Sequence, residues 1–172
     1  MKVPEKLINF RVYQNGADLV GVADVTLPSL EAMTETVKGA GIAGEIDSPT
    51  LGHYSSMELQ LNWRTLEKSN VALAAPTGVH LDLRGAQQVY DSSSGKYIVR
   101  PVKCVIRGIP KSTELGKLDV GATTDTVTTI EVNYIKVTIA GDTILEVDKY
   151  NSITIIDSVD YMAEVRDALG LN

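Results

Sequence analysis

Strict alternation of apolar and polar residues is the feature that most constrains the fold of this chain. Residues 57–63 read Met-Glu-Leu-Gln-Leu-Asn-Trp, and residues 79–84 and 8–12 repeat the pattern. A period of two is typical of a β-strand with one buried face, because successive side chains point to opposite sides of a sheet. The sequence therefore predicts a mainly β protein with mostly antiparallel strands.

Turn-forming residues separate the alternating runs and predict how the strands pair. Asn-Gly at residues 15–16 is a strong hairpin signal, and the other turns are rich in Ser, Gly and Asp. A further short strand is expected at residues 153–155. Three hairpins are predicted: residues 8–12 with 19–27, residues 87–91 with 96–107, and residues 127–139 with 144–148.

One long predicted strand changes its apolar face partway along. Ile130, Val132 and Tyr134 share one face, but from Ile135 onward the apolar residues lie on the other. Such a switch indicates either a β-bulge within the subunit or burial of both faces, the second by a neighbouring subunit. The sequence leaves both explanations open.

Two helices and one long irregular segment complete the expected architecture of a single domain spanning residues 1–172. The weaker helix lies within residues 64–75, and the stronger one spans residues 157–169, with Asp157 as its cap and Gly170 after its end. Residues 28–52 lack periodicity and are predicted to form an extended loop. Loops of that length in compact domains are usually functional or disordered.

Composition and charge exclude several classes of protein. The formal charge is −6, from 16 basic and 22 acidic residues, which argues against a protein that grips nucleic acid through phosphates. No apolar run is long enough to span a bilayer, and the first six residues do not predict a secretory signal. Cys104 is the only cysteine, and its apolar neighbours predict a buried, unreactive thiol.

Glycines 39, 41 and 44 match the spacing G-x-G-x-x-G of dinucleotide-binding loops. That motif requires a buried strand before it and a helix after it, so that the helix N-terminus faces the phosphates. Neither flank fits, and Glu45 and Asp47 would repel a phosphate. A flexible glycine-rich loop is the better interpretation.

Other candidate chemical groups do not converge on a site. His80 and Asp82 share one strand face, but a polar solvent-facing strand explains them more simply than metal binding or base catalysis. His53 is close in sequence to Ser55 and Ser56, yet no nucleophile motif surrounds these serines. We therefore predict no catalytic residues, no metal and no cofactor, and a protein that is not an enzyme.

The ordered succession of segments along the chain resembles the major tail tube proteins of P2-type contractile phages and the related tubes of R-type bacteriocins. In the amino-terminal half, the resemblance rests on a first hairpin, Val-Thr-Leu-Pro at 25–28, a loop with three glycines and a strand ending at Trp63. The carboxy-terminal half carries more of it, in residues 105–111 (Val-Ile-Arg-Gly-Ile-Pro-Lys), 115–121 (Leu-Gly-Lys-Leu-Asp-Val-Gly), 132–137 (Val-Asn-Tyr-Ile-Lys-Val), 140–142, 145–148, 151–153, 159–161 and 166–171.

The resemblance implies an antiparallel β-sandwich or half-barrel subunit that forms hexameric rings stacked into a tube inside a contractile sheath. Residues 28–52 would be the loop between rings, with Gly39, Gly41, Gly44, Glu45 and Asp47 as its candidate residues. Implied partners are further copies of the chain, the sheath, and the baseplate and tail-terminator proteins, with DNA as transient cargo if the particle is a phage.

On the same basis, Glu58 and Glu131 are candidates for lining the lumen, since both lie on polar strand faces. The implied location is a virion tail or a bacteriocin particle, assembled in the bacterial cytoplasm without a membrane anchor. Two alternatives remain at this point. One is the tube protein of type VI secretion, which shares the architecture, and the other is a β-sandwich binding module, which the scarcity of aromatic residues disfavours.

Overall fold

The structure, a computed structural model, describes residues 1–171 and consists mostly of antiparallel β-strands. Two short helices, α1 and α2, lie among twelve strands. The elements are β1 (Lys2–Gln14), β2 (Ala17–Asp18), β3 (Val22–Thr26), β4 (Ala32–Lys38), β5 (Glu45–Tyr54), β6 (Glu58–Trp63), α1 (Lys68–Ala72), β7 (Val79–Asp91), β8 (Lys96–Glu114), β9 (Thr126–Ile139), β10 (Asp142–Asp148), β11 (Ile153–Ile156), β12 (Val159–Asp160) and α2 (Ala163–Ala168).

The main sheet has ten strands and branches at β9. Its continuous order is β12-β11-β10-β9-β8-β7-β1-β2, while β6 pairs with β9 and β3 pairs with β6. Strands β4 and β5 form a separate two-stranded sheet. Within residues 1–171 the main sheet does not close into a barrel.

A bulge at Asn133 explains both the branch and the switch of apolar face. Arg107 of β8 pairs with Tyr134, whereas the next residue, Gly108, pairs with Val132, so Asn133 is one extra residue in β9. The extra residue inverts the alternation, and Ile135 is buried within the subunit as Ile130 is. Of the two explanations that the sequence left open, the structure supports the bulge.

The bulge divides the main sheet into two half-sheets that enclose the core. The short half-sheet contains β3, β6, residues 126–132 of β9 and residues 108–114 of β8; the long half-sheet contains β1, β2, β7, the remainder of β8 and β9, and β10 to β12. One continuous cluster of buried side chains lies between them. Its largest members are Trp63, Met57, Leu59, Leu61, Leu73, Leu81, Ile106 and Ile130.

The second and third predicted hairpins are confirmed as β7–β8 and β9–β10, but the first is wrong in its pairing. The turn at Asn15 and Gly16 forms, with positive φ angles of 50° and 81°. However, β2 pairs with β1 over only two residues, and the main partner of β1 is β7. After Gly21 the chain crosses to the short half-sheet, because Val22 and Val25 of β3 pack against the core next to β6.

Two further expectations require correction. Residues 28–52 are not an irregular loop, since most of them form the β4–β5 hairpin. The C-terminal helix is shorter than residues 157–169: Asp157 and Ser158 have positive φ angles of 50° and 66° and form a turn that leads into β12. The backbone becomes helical only at α2, which ends before Gly170 as predicted. Within residues 64–75, the weaker predicted helix is present as the five residues of α1.

Candidate assembly surfaces

The subunit exposes more surface than a compact protein of its size. Its accessible area is 10,862 Å², whereas a compact monomer of this mass, 18.5 kDa, is expected to expose about 8,200 Å². Apolar side chains account for part of the excess. The exposed set includes Leu7, Ile8, Met33, Ile46, Leu51, Tyr97, Val99, Leu118, Val120 and Tyr150. Exposed apolar side chains in this number are expected of a protein that buries them against a partner.

Both outer edges of the short half-sheet lack a strand partner among residues 1–171. Strand β3 pairs only with β6, and residues 109–114 of β8 pair only with β9 because β7 ends its pairing with β8 at Gly108. An unpaired edge presents free N–H and C=O groups that can pair with another chain. The short half-sheet is therefore a four-stranded unit that is open on both sides.

The outer face of the short half-sheet is mainly polar and acidic, and Ile109, opposite Glu131, is an exposed apolar side chain on it. The strand register places Glu58 directly opposite Glu131, with Asp24 and Glu114 on the same face. Lys111 is the one basic side chain among the strand residues on this face. The two glutamates singled out from the sequence are thus cross-strand neighbours, and four carboxylates share the face with one ammonium group.

Lys111 bridges the two opposed glutamates. Its Nζ donates a hydrogen bond to Glu58 Oε1 and lies 3.6 Å from Glu131 Oε2. Ser56 Oγ lies 2.9 Å and 2.7 Å from the two carboxylate oxygens of Glu131. Like charges directly opposite each other destabilise a sheet, and the ammonium group offsets that repulsion. The hydrogen bond to Glu58 raises the pKa of Lys111.

Sequence reasoning missed Lys111 because a second bulge determines its direction. Pro110 pairs with Ile130 and Ser112 with Thr129, so Lys111 is an extra residue in β8. The strand predicted from the sequence ended at residue 107, whereas β8 continues to Glu114, so Lys111 lay outside the predicted strand. A bulge re-aims the side chain of the extra residue and inverts the alternation beyond it, so Ile109 and Ser112 lie on the same face.

The β4–β5 hairpin carries an exposed apolar face. Val37 lies opposite Ile46 in the register of the hairpin. Both side chains are exposed, as is that of Met33 near the stem. Of the predicted loop residues, Asp47 lies opposite Thr36, and Glu45 lies opposite Lys38 with a 4.0 Å ion pair.

The three glycines of the G-x-G-x-x-G spacing form the tip of this hairpin. Gly39, Gly41 and Gly44 have φ angles of 127°, 88° and 120°, a region that favours glycine. The segment is a turn between two strands and does not lead into a helix. The glycines serve the turn geometry, which agrees with the interpretation against a dinucleotide site.

The base of the hairpin is anchored to the C-terminal region. Gly52 lies so close to Met162 that a Cβ on Gly52 would be 2.2 Å from the sulfur of Met162, which is buried. The N–H of Ser55 donates a 2.8 Å hydrogen bond to the carbonyl of Glu31, which joins the two strands of the stem. The hairpin is therefore fixed at its base while its apolar face and tip project from the domain.

The remaining candidate groups make local contacts. Asp82 Oδ2 lies 2.9 Å from Arg84 and 3.7 Å from Lys103, whereas Asp82 Oδ1 is buried without a hydrogen-bond partner among the described residues. His53 contacts the carbonyl of Leu51. Cys104 is buried, and burial raises the pKa of its thiol to about 12. Residues 1–171 contain no cluster of three metal-ligating side chains and no helix long and apolar enough to cross a membrane.

Comparison with known proteins gives two concordant results. Residues 4–170 match the family described as "Phage tail tube protein FII". The chain is also 30% identical over 175 residues to the tail tube protein of Escherichia phage P2, and the alignment covers 99% of this chain and all of that protein.

Proposed function

Because the chain belongs to the phage tail tube protein FII family and is thus a structural subunit of a phage tail tube, we propose that its copies form hexameric rings that stack into the inner tube of a contractile tail. The observation that supports this most directly is the short half-sheet, with four strands, two unpaired edges and one acidic face. A subunit of this kind is completed by its neighbours.

Ring formation would follow from pairing the edge of β3 with residues 109–114 of β8 in the next copy. The two edges differ, so the contact is head-to-tail, and such contacts close into a ring when the rotation between copies permits it. Six four-stranded units would supply about 24 strands. Barrels of 16 to 18 strands already enclose an aqueous channel, so a ring of this size would surround a wide lumen.

The acidic face would then line the lumen. Glu58 and Glu131 lie at its centre, with Asp24 and Glu114 on the flanking strands. Carboxylates repel DNA phosphates, and the one lysine on this face is already engaged by two glutamates. DNA would meet no free cation to hold it during passage. In a headless bacteriocin the same tube would serve as a rigid puncturing device.

Along the tube axis, we assign the contact between rings to the β4–β5 hairpin, including Gly39, Gly41, Gly44, Glu45 and Asp47. The outer surface of the tube would face the sheath, and its two ends would contact the baseplate and tail-terminator proteins. The chain would act as one domain, 1–172, with no enzymatic activity. It would be assembled in the host cytoplasm and found in the tail of the virion or bacteriocin.

A proline at the free edge of β3 tests the ring interface. Ala23 is exposed and has no partner residue in β6, so Ala23→Pro is expected to preserve the fold while removing an N–H from the edge strand. We expect negative-stain electron microscopy to show rings or tubes for the wild-type chain and for the matched control Ala23→Ser, and monomers for Ala23→Pro. Circular dichroism checks the fold of each variant.

Two results would contradict the proposal. One is a wild-type chain that remains monomeric at every concentration tested. The other is a folded Ala23→Pro variant that still assembles into rings as readily as Ala23→Ser, because the β3 edge would then play no part in closure.

A further inference from the structure

The hairpin and a second exposed segment lie at opposite ends of the short half-sheet. Strand β6 begins at Glu58, just after the hairpin stem, and ends at Trp63. Trp63 lies opposite Thr126, the first residue of β9. Residues 115–125 immediately precede Thr126 in the chain. We refer to residues 115–125 as the end loop. Strand β6 alone separates the two ends by about 17 Å, at roughly 3.4 Å per residue.

The end loop is well ordered by hydrogen bonds. The N–H of Lys117 donates to Thr124 O at 2.9 Å, and the N–H of Thr124 donates to Arg64 O at 2.8 Å. Thr126 Oγ1 donates to Leu115 O at 2.9 Å. Gly116 lies so close to Thr124 O that a Cβ would approach it to 1.9 Å. These contacts hold the loop in one conformation.

The same loop displays apolar side chains to solvent. Leu118 is 88% exposed and Val120 is fully exposed. An ordered loop with two unburied aliphatic side chains is a preformed docking surface, since little conformational entropy is lost when it binds. The structure of the single subunit gives these side chains no partner among residues 1–171.

We propose that the end loop binds the apolar face of the β4–β5 hairpin of a second copy of this chain in the adjacent ring. The inference rests on the proposed stacking of rings. Within one subunit the two surfaces lie at opposite ends, so they cannot meet. Translation of one copy along the strand direction brings the hairpin of one ring to the end loop of the next. Head-to-tail contacts of this type repeat without closing and generate a filament.

The chemistry of the two surfaces is complementary. Val37 and Ile46 on the hairpin and Leu118 and Val120 on the end loop are all apolar and exposed. Glu35 lies on the same hairpin face as Val37 by strand alternation, and Arg64 is exposed beside the end loop. An apolar centre with charged residues at its border is the usual anatomy of a protein interface.

Cysteine crosslinking in assembled tubes tests this contact. Cys104 does not interfere, because its thiol is buried. After mild oxidation of tubes formed by Val120→Cys/Ile46→Cys, we expect a ladder of covalent oligomers on a non-reducing gel. The matched control Val120→Cys/Ser94→Cys moves the second thiol to an exposed position of the turn between β7 and β8, and we expect it to stay monomeric on the gel.

Substitution of the end loop gives an independent readout. Val120→Asp places a charge on a fully exposed side chain, so the fold and the rings should persist while mean tube length falls at least tenfold. The control Ser94→Asp, at an exposed position of the turn between β7 and β8, should leave tube length unchanged. Either of two results would overturn the inference. One is that Val120→Asp tubes keep their length and the cysteines at positions 120 and 46 do not crosslink in tubes. The other is that these two cysteines crosslink within isolated single rings. Those results leave ring formation intact, whereas a wild-type chain without rings refutes the proposed function as well.

Discussion

The indole Nε1 of Trp63 donates a hydrogen bond of 3.1 Å to Oγ1 of Thr128 between the two half-sheets, where both residues are buried. Trp63 ends β6, and Thr128 lies on the adjacent β9. A buried indole N–H without an acceptor is costly, and the threonine supplies that acceptor. This polar pair fixes the tryptophan in one orientation at the end of the core.

Replacement of Thr128 by valine is therefore expected to destabilise the subunit. Valine has the shape of threonine but leaves the indole N–H unsatisfied, at a cost of about 1–3 kcal/mol in the free energy of unfolding. Thr128→Ser keeps the hydroxyl and serves as the control. Urea unfolding at a concentration where the chain is monomeric measures the difference. Equal stability of the two variants would show that the hydrogen bond is unimportant.

Deletion of Asn133 tests the role of the bulge. Without this residue, the alternation of β9 would continue unbroken, and Ile135 would turn from the core to the outer face while its polar neighbours turned inward. We expect the deletion variant to be unfolded or aggregated, as judged by circular dichroism and size-exclusion chromatography. Deletion of Ser93, in the turn between β7 and β8, should be tolerated. A folded variant lacking Asn133 would mean that β9 can shift its register.

Gly52→Ala should weaken the attachment of the hairpin to the C-terminal region. Gly52 has a φ of 67°, and a Cβ there would overlap the side chain of Met162. Gly141→Ala is the matched control, because φ is 89° there and the space around it is open. The control should lose about 1–2 kcal/mol from backbone strain alone. Gly52→Ala should lose about 1–3 kcal/mol more by overpacking, and similar thermal midpoints would argue against a close contact.

Asp160→Asn should make stability less sensitive to acid. Arg166 donates a hydrogen bond to the Asp160 carboxylate, and this contact lowers the pKa of Asp160 below its ordinary value of 3.8. A lowered pKa stabilises the fold at pH values above 3.8, and the contribution disappears as the pH falls through the lowered value. The variant should therefore unfold at a lower temperature than wild type at neutral pH, and the gap should close below pH 3.8. A gap that persists in strong acid would point to a cause other than ionisation.

Much of the fold could be predicted from local patterns. Alternation identified the strands that bury one face, such as residues 57–63, because the period of side-chain direction is a property of the extended backbone itself. The turns at residues 92–95 and 140–142 located two hairpins, since neighbouring strands joined by a short turn must pair. The burial of Cys104 followed from its apolar neighbours. Each of these depends on residues close together in the sequence.

Pairing between distant strands and the direction of single side chains depended on the tertiary structure. The sequence predicted that β3 pairs with β1, whereas β3 packs against the core beside β6. An irregular loop was predicted where β4 and β5 form a hairpin, because no core selects one face of these two strands. The switch of face in β9 was visible, but only the register with β8 identified Asn133 as a bulge. Likewise, Glu58 and Glu131 were separate candidates until strand pairing placed them opposite each other with Lys111 between them. Contacts between residues far apart in sequence are decided by how apolar surfaces fill a shared core, and local composition does not encode that choice.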